Sequence, residues 1–337
     1  MRWRAASKTR SEPEFRASSN GEMSSAQSRC VMGIDVGGTK IAAGLLALPE
    51  GDASSRRIIP TDAAGGGQHV LKKVLQLARD LADEATTLGH SLEAIGLGIC
   101  ELVDREGHLA SANCIPWLDQ PVREVLSDLA PTIIEADVRA AALAEALFGA
   151  GEPFRNFLYV TIGTGISCCL MLDGDAYLGA HGAAGTMASS PLTIPCQQCG
   201  HVSARTLEEI SAGPALVRQF NAAGGKAASG QEVLAAAAGN SLAKQIVDTA
   251  AEVLGSQIGL FVNTLDPEAL VIGGGLGLSE GPYWEHFVVS TRRHIWSIPH
   301  RQLPILRAAA GVDAGWIGAA AKAAHHFARE FKPANKS

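Results

Sequence analysis

Gly33-Ile34-Asp35-Val36-Gly37-Gly38-Thr39-Lys40-Ile41 is the stretch on which the reading of this chain turns. Residues 30–35 are apolar up to the carboxylate of Asp35, and residues 41–46 are apolar again, so the spacing predicts two strands joined as a hairpin. The turn between them carries Gly37 and Gly38, which let backbone N–H groups converge on an anion without side chains in the way. Thr39 adds a hydroxyl donor and Lys40 a positive charge. Asp35, at the end of its strand, is placed to hold a magnesium ion through water, because hard cations take oxygen ligands.

Outward from this turn the chain reads as alternating strands and helices. Val70, Leu71, Val74, Leu75, Leu77, Ala78 and Leu81 recur at helical spacing within residues 69–88. Residues 94–99 and 131–135 read as buried strands, the second feeding straight into Asp137, and residues 138–149 as an Ala-rich helix. A second round then begins: residues 157–162 as a strand, a Gly163-Thr164-Gly165 turn, and residues 166–172 as its hairpin partner. Residues 183–205, rich in Ser, Pro, Gly and Cys, are expected to be an irregular excursion. A long helix at 242–265, a buried strand at 269–272 running into Gly273-Gly274-Gly275, and a terminal Ala-rich helix at 315–331 complete the pass.

The repeat predicts two related α/β lobes facing a cleft, residues 29–148 and 149–337, with the terminal helix able to pack back on the first lobe. Two phosphate turns facing one another suit the β- and γ-phosphates of ATP. Three glycines after a buried strand let the backbone approach something flat, for which adenosine is the natural candidate.

Composition narrows the class. The 337 residues are 47% hydrophobic and 18% charged, with 5% aromatics and a formal charge of −6. Sparse aromatics argue against a stacking platform for single-stranded nucleic acid, and the charge gives no attraction to phosphodiester backbones or anionic membranes. There is no apolar run of about twenty residues to span a bilayer. Seven cysteines, two adjacent as Cys168 and Cys169 and two in Cys196-x-x-Cys199, predict reduced thiols in a cytoplasm rather than a disulfide framework. Residues 1–28 carry Arg2, Arg4, Lys8, Arg10 and Arg16 without an apolar stretch. They are expected to be a disordered tail, or an over-long start with Met23 as initiator.

In this order the motifs resemble the actin-like ATPase superfamily and, within it, the ROK family of bacterial sugar kinases and repressors. The resemblance rests on Gly33 to Ile41, Gly96-Leu-Gly-Ile99, Ser111-Ala-Asn113, Trp117 and Glu135-Ala-Asp137. It continues through Gly163-Thr-Gly165, Gly179-Ala-His-Gly-Ala-Ala-Gly185, Leu207-Glu208 and Asp266-Pro-Glu-Ala-Leu-Val-Ile-Gly-Gly-Gly275. It implies an actin-like, ribonuclease H-like α/β fold and an ATP- and magnesium-dependent kinase. The γ-phosphate would pass to a hydroxyl of a sugar: a hexose, an amino sugar or a cyclitol. It further implies sugar contacts from Asn113 and Glu208, and a homodimer or homotetramer. By spacing alone Asp137 reads as a helix N-cap; by resemblance it is the catalytic base and a sugar ligand.

The acceptor side departs from the family pattern. Ala136 stands where the family has Asn. Gly185-Thr186-Met187-Ala188-Ser189 replaces Gly-Glu-x-Gly-His, and Cys100-Glu101 replaces Pro-Gly. Thr186 and Ser189, with Glu101 and Glu209, are expected to build a different pocket. Zinc stays open: Cys196 and Cys199 survive without a third Cys, leaving His201 or His181 as further candidates for a four-ligand site. The alternative to a kinase is a catalytically altered sugar-binding relative or a regulator. The family's regulators carry an N-terminal helix-turn-helix domain of several dozen residues, whereas about thirty residues precede Asp35 here.

Overall fold

The first hairpin organises the first sheet. In the computed structural model, which describes residues 28–195 and 202–328, β1 (Ser28–Val36) pairs antiparallel with β2 (Lys40–Leu48), and β3 (Ala53–Pro60) adds an exposed outer edge. Helix α1 (Gly67–Thr87) carries the chain across to β4 (His90–Ile99), which lies parallel to β1. Helix α2 (Val122–Ser127) leads to β5 (Thr132–Ala136), parallel to β4, and α3 (Asp137–Phe148) follows without a loop. The order is β3-β2-β1-β4-β5.

The second round repeats this plan. Strands β6 (Phe157–Ile162), β7 (Ile166–Leu172) and β8 (Asp175–Ala176) form an antiparallel meander. A separate ribbon, β9 (Pro191–Pro195) with β10 (Val202–Thr206), and helices α4 (Leu207–Ser211), α5 (Gly213–Ala222), α6 (Gly230–Ala236) and α7 (Ser241–Leu265) intervene. Then β11 (Ala269–Gly273) joins β6 in parallel, α8 (Pro282–His294) crosses over, β12 (Ile305–Arg307) joins β11, and α9 (Ala314–Phe327) ends the described chain. Its order, β12-β11-β6-β7-β8, is the first sheet's order read from the other edge. The internal repeat seen in the sequence is therefore a repeat of topology.

Strand alternation splits the interior into three layers. Met32, Ile34 and Val36 of β1 pack under the apolar stripe of α1, including Val70, Val74 and Leu81. Leu158, Val160 and Ile162 of β6 pack with α5 and α7 through Leu216, Val247 and Leu254. The opposite faces of both sheets, with Val31 and Leu46 on one side and Phe157, Tyr159 and Val271 on the other, meet a middle layer made by α3 and α9. That layer is thin because its helices are Ala-rich. A Cβ on Gly318 would stand 1.7 Å from the Ala140 carbonyl, and one on Gly96 1.8 Å from the Ala319 carbonyl. Helix α9 thus returns from the second sheet to lie on β1 and β4.

The described part of residues 183–205 is more regular than the sequence suggested. A short 3-10 turn at Thr186–Ser189 precedes the β9–β10 ribbon, in which Thr206 faces Pro191 and Val202 faces Pro195. Two strands that pair mainly with each other need no apolar face, so alternation gave no signal. The expected tail lies outside the described residues except for Ser28, as do Cys196, Cys199 and the terminal helix beyond Ala328. Among the described residues no helix is long and apolar enough to cross a membrane.

Candidate active site

The turn after β1 is braced from beneath. Gly37 N–H donates to the Lys40 carbonyl at 3.0 Å, closing the hairpin, and the Thr61 N–H donates to the Thr39 carbonyl at 3.0 Å. The fully buried Thr61 hydroxyl donates to the Gly37 carbonyl at 2.6 Å. The expectation that both glycines offer N–H groups to an anion therefore changes: Gly37 is engaged within the turn, and Gly38, Thr39 and Lys40 form its exposed part. Thr61 gave no sequence signal.

Asp35 and Asp137 come together where β1 ends and α3 begins. The Asp35 carboxylate lies over Gly98 of β4 and against Gly315 of α9. Burial raises its pKa to about 7, with the neighbouring Asp137 adding to the rise and Lys40 opposing it. Asp137 is the first residue of α3, and the N-cap is Ala136. Asp137 Oδ1 accepts the Val138 N–H at 2.6 Å and makes no bond of the capping kind, so the N-cap reading is corrected by one residue of helix register. Burial raises the Asp137 pKa to about 6 against the pull of that N–H; Glu101 raises it further and Arg139 lowers it.

The candidate acceptor end is organised by two buried charges. Glu101, 5% exposed, accepts the Ser111 hydroxyl and the Asn113 N–H on Oε2, and the Cys114 and Ile115 N–H groups on Oε1. Asn113 is exposed on that loop, and the Cys114 thiol pairs with the Cys100 thiol within electrostatic reach of Asp137 and Glu208. Arg139 pairs with Glu135 at 2.5 Å and donates to the carbonyls of Val103 at 2.8 Å and Gly182 at 3.2 Å, pinning a loop from each sheet to α3. Glu208, second in α4, sits against Gly165: a Cβ there would be 3.2 Å from its Oε1.

Of the other expected pocket residues, Thr186 and Ser189 are exposed and Glu209 is taken up locally. Thr186 Oγ1 donates to the Ala183 carbonyl at 3.2 Å, and Ser189 is exposed at the end of the same 3-10 turn. Glu209 caps α4 by accepting the Thr206 N–H at 2.9 Å, which removes it from the expected pocket. Thr206-x-x-Glu209 is a capping-box pattern legible in the sequence. A separate cavity of about 200 Å³ is lined by Glu135, Arg139, Asp175, Lys322 and His326, away from the phosphate turns.

Gly163-Thr164-Gly165 meets the triple glycine. Gly163 N–H donates to the Gly165 carbonyl at 2.9 Å, its carbonyl accepts the N–H of Gly213 at the start of α5, and a Cβ on Gly163 would be 3.8 Å from the Gly275 nitrogen. Gly274 has φ +80°, and a Cβ there would stand 2.4 Å from the Ile162 carbonyl oxygen. Gly230, first in α6, would meet the Gly213 Cα at 2.9 Å. Four glycine-bearing backbone segments thus converge, with Leu276 and Gln231 as side chains among them, a backbone-rich surface suited to phosphate and nucleoside.

Asp35 fits a magnesium ion: its half-buried carboxylate sits beside a second carboxylate, and a hard cation would relieve their repulsion. Cys196, Cys199 and His201, the zinc candidates, lie outside the described residues, and among those described no three His, Cys, Asp or Glu side chains gather as a metal site.

The profile described as the ROK family matches residues 31–326. A glucokinase of Streptomyces coelicolor is 27% identical over 313 residues, covering 86% of this chain and 96% of its own. An N-acetylmannosamine kinase of Vibrio cholerae is 27% identical over 299 residues, covering 86% and 97%. The crystal structure of a ROK family glucokinase from Streptomyces griseus in complex with glucose and AMPPNP superposes with a TM-score of 0.74 at 26% identity, covering 88% of this chain and 99% of its own. The expected actin-like ATPase fold is borne out.

Proposed function

We propose, from the premise that this chain belongs to the ROK family and is a sugar kinase, that it moves the γ-phosphate of ATP onto a hydroxyl of a neutral hexose, amino sugar or cyclitol. The observation that carries the reading is the placement of Asp137 at the first turn of α3, beside Asp35 and facing the loop of Asn113 and Cys114. Asp137 takes the proton from the acceptor hydroxyl as it attacks. Gly38, Thr39 and Lys40, supported by Gly37, and Gly163, Thr164 and Gly165 cradle the phosphates from the two lobes, residues 29–148 and 149–337. Gly273, Gly274 and Gly275 let the backbone approach adenosine. Asp35 holds magnesium through water, and the ion, when bound, neutralises phosphate charge.

Asn113 and Glu208 contact sugar hydroxyls, and Thr186 and Ser189 meet outer substituents. Glu208 and Asp137 together disfavour an anionic acceptor such as a sugar acid or sugar phosphate. Free buried thiols at Cys30, Cys168 and Cys169 fit a cytoplasmic enzyme, and family membership favours a homodimer or homotetramer.

The test is coupled-assay turnover of ATP with a panel of hexoses, N-acetylated hexosamines, ketoses, cyclitols and sugar acids. Turnover on a neutral member is expected. ATP binding without turnover on any of them would instead favour a sugar-binding relative that has lost catalysis.

A further inference from the structure

Glu101 is a buried carboxylate whose two oxygens are fully engaged by hydrogen-bond donors. Its two oxygens take four donors from one short segment: Ser111 hydroxyl and Asn113 N–H at 2.5 and 2.8 Å, Cys114 and Ile115 N–H at 2.5 and 2.8 Å. Three consecutive N–H groups that converge on one side chain do not belong to a strand or helix. Without an acceptor they would be left to water or to nothing, at the cost of an unmade bond each. The Ser111 hydroxyl in turn accepts the Leu102 N–H at 2.8 Å, so the segment is tied to the end of β4 at both oxygens and through its own side chain.

The segment held in this way carries the acceptor groups. Asn113 and Cys114 are its exposed residues, Ile115 is buried beneath them, and the Cys114 thiol lies within reach of Asp137 from the first lobe and Glu208 from the second. The usual family residues at positions 100 and 101, Pro-Gly, could not make these bonds, since Gly has no acceptor side chain.

We infer that Glu101 is the positioning residue of the acceptor pocket, holding residues 111–115 in the arrangement that presents Asn113 and Cys114 beside Asp137 and Glu208; this rests on the kinase reading above. It does not touch the reacting atoms. Its charge nevertheless reaches them: the groups that face Asp137 are Asp35, Glu101, Arg139, Cys100, Cys114 and Tyr159, and Glu101 acts to raise the Asp137 pKa.

The test is Glu101→Gln, which keeps the shape but turns one oxygen into an amide NH₂ facing two donors. Sugar and ATP affinities are read by calorimetry, and amide hydrogen exchange reports residues 113–115. The sugar dissociation constant is expected to rise about tenfold or more, with ATP affinity within about twofold of the parent. Exchange protection at Asn113, Cys114 and Ile115 should fall, with protection in the rest of the first sheet at the parent's level. A general loss of packing would weaken ATP binding and exchange protection throughout, rather than sugar affinity and residues 113–115 alone. A folded Glu101→Gln with parental sugar affinity overturns the inference. If that variant does not fold, Ser111→Ala decides by the same titration: a several-fold weaker sugar affinity supports the role and an unchanged one overturns it. Wild-type protein that binds ATP and sugar without transferring phosphate would remove the kinase reading and leave this inference standing. Wild-type turnover with an unaltered Glu101→Gln would do the reverse.

Discussion

The Asp35 carboxylate and Gly315 are in contact so close that a Cβ on Gly315 would stand 2.3 Å from Asp35 Oδ2 and 2.5 Å from its Cγ. Helix α9 comes from the far end of the chain, yet its second residue shapes the seat of a group at the end of β1. Gly315→Ala is expected to leave the fold intact, because a short carboxylate can rotate away from a methyl where backbone could not. The rotated carboxylate no longer faces its cation. The expected result is a raised magnesium requirement and a fall in kcat of about tenfold or more, with thermal unfolding close to the parent's. A magnesium titration of the coupled assay checks this, and an unchanged half-saturation would refute it.

The raised carboxylates make a signed statement about pH. Asp35 stands at about 7 in the folded chain against 3.8 for an ordinary Asp, and Asp137 at about 6. Between the unfolded and folded values the native state binds more protons, so stability without nucleotide or metal falls as pH rises through that window and levels off above about 7. Asp35→Asn and Asp137→Asn remove the cost of the buried charge. Both are expected to melt a few degrees higher than the parent at pH values above that window, and at about the parent's temperature near the lower edge. Asp137→Asn should also lose about 10²–10⁴-fold in kcat. The parent's kcat/KM should fall on the acid side near the Asp137 value of about 6. Melting curves at the two ends of the window, with no ligand, give the sign directly.

What was readable in the sequence follows its physical basis. Strands β1, β2, β4, β5, β6, β7 and β11 and helices α1, α3 and α7 were legible because each buries an apolar face or run with its own period. The topological repeat was legible because each hairpin turn carries the same chemistry. Strand β3, with Ser54, Ser55, Arg56 and Arg57, is an exposed edge and has no apolar pattern to read. Helices α4 and α6 are too short to show a period, although Thr206 and Glu209 announced the start of α4. Asp35, Asp137 and the glycine turns stood out as candidates because phosphate chemistry demands local patterns. Thr61 and Gly315 were missed because each acts on a partner many residues away, which no local spacing encodes; Arg139 follows Glu135 at a local spacing, but its bonds to Val103 and Gly182 are long-range. Glu101 was noticed only as a departure, and its four-donor role depends on how a loop ten residues later folds back.

Gly274 separates two kinds of glycine in the proposed nucleotide cradle. Its φ of +80° suits glycine, and a Cβ would press on backbone, 2.4 Å from the Ile162 oxygen and 2.6 Å from its nitrogen. Gly38 in the first turn has neither constraint, with open space where a Cβ would go. Gly274→Ala is therefore expected to cost about 1–2 kcal/mol from the left-handed backbone alone, more from the contact, and to weaken ATP binding as the loop shifts. Gly38→Ala should leave unfolding unchanged. Urea unfolding of the two variants side by side, with nucleotide titration, distinguishes them; equal stability would contradict the assignment.

Arg139 and Glu135 form a pair in which both side chains are under 10% exposed, at 6% and 8%, with Lys322 3.7 Å from the other Glu135 oxygen. Removing one member of a buried pair leaves the other charge uncompensated, typically at about 3–5 kcal/mol. Lys322 offsets part of that here, so Arg139→Met is expected toward the lower end. Arg139→Lys keeps the charge but has no planar fork to reach Glu135, Val103 and Gly182 together, and should fall between Arg139→Met and the parent. The same change also acts on catalysis. Arg139 lowers the Asp137 pKa, so losing its charge should carry the acid limb of kcat/KM to higher pH, while Arg139→Lys should hold it near the parent's. The freed Val103 and Gly182 carbonyls loosen one loop from each sheet, so acceptor affinity should drop in both variants and ATP affinity in neither. Unfolding by urea, the pH profile and separate sugar and ATP titrations read these effects independently. An Arg139→Met protein of parental stability with an unmoved acid limb would show that this buried pair supports neither the fold nor the site.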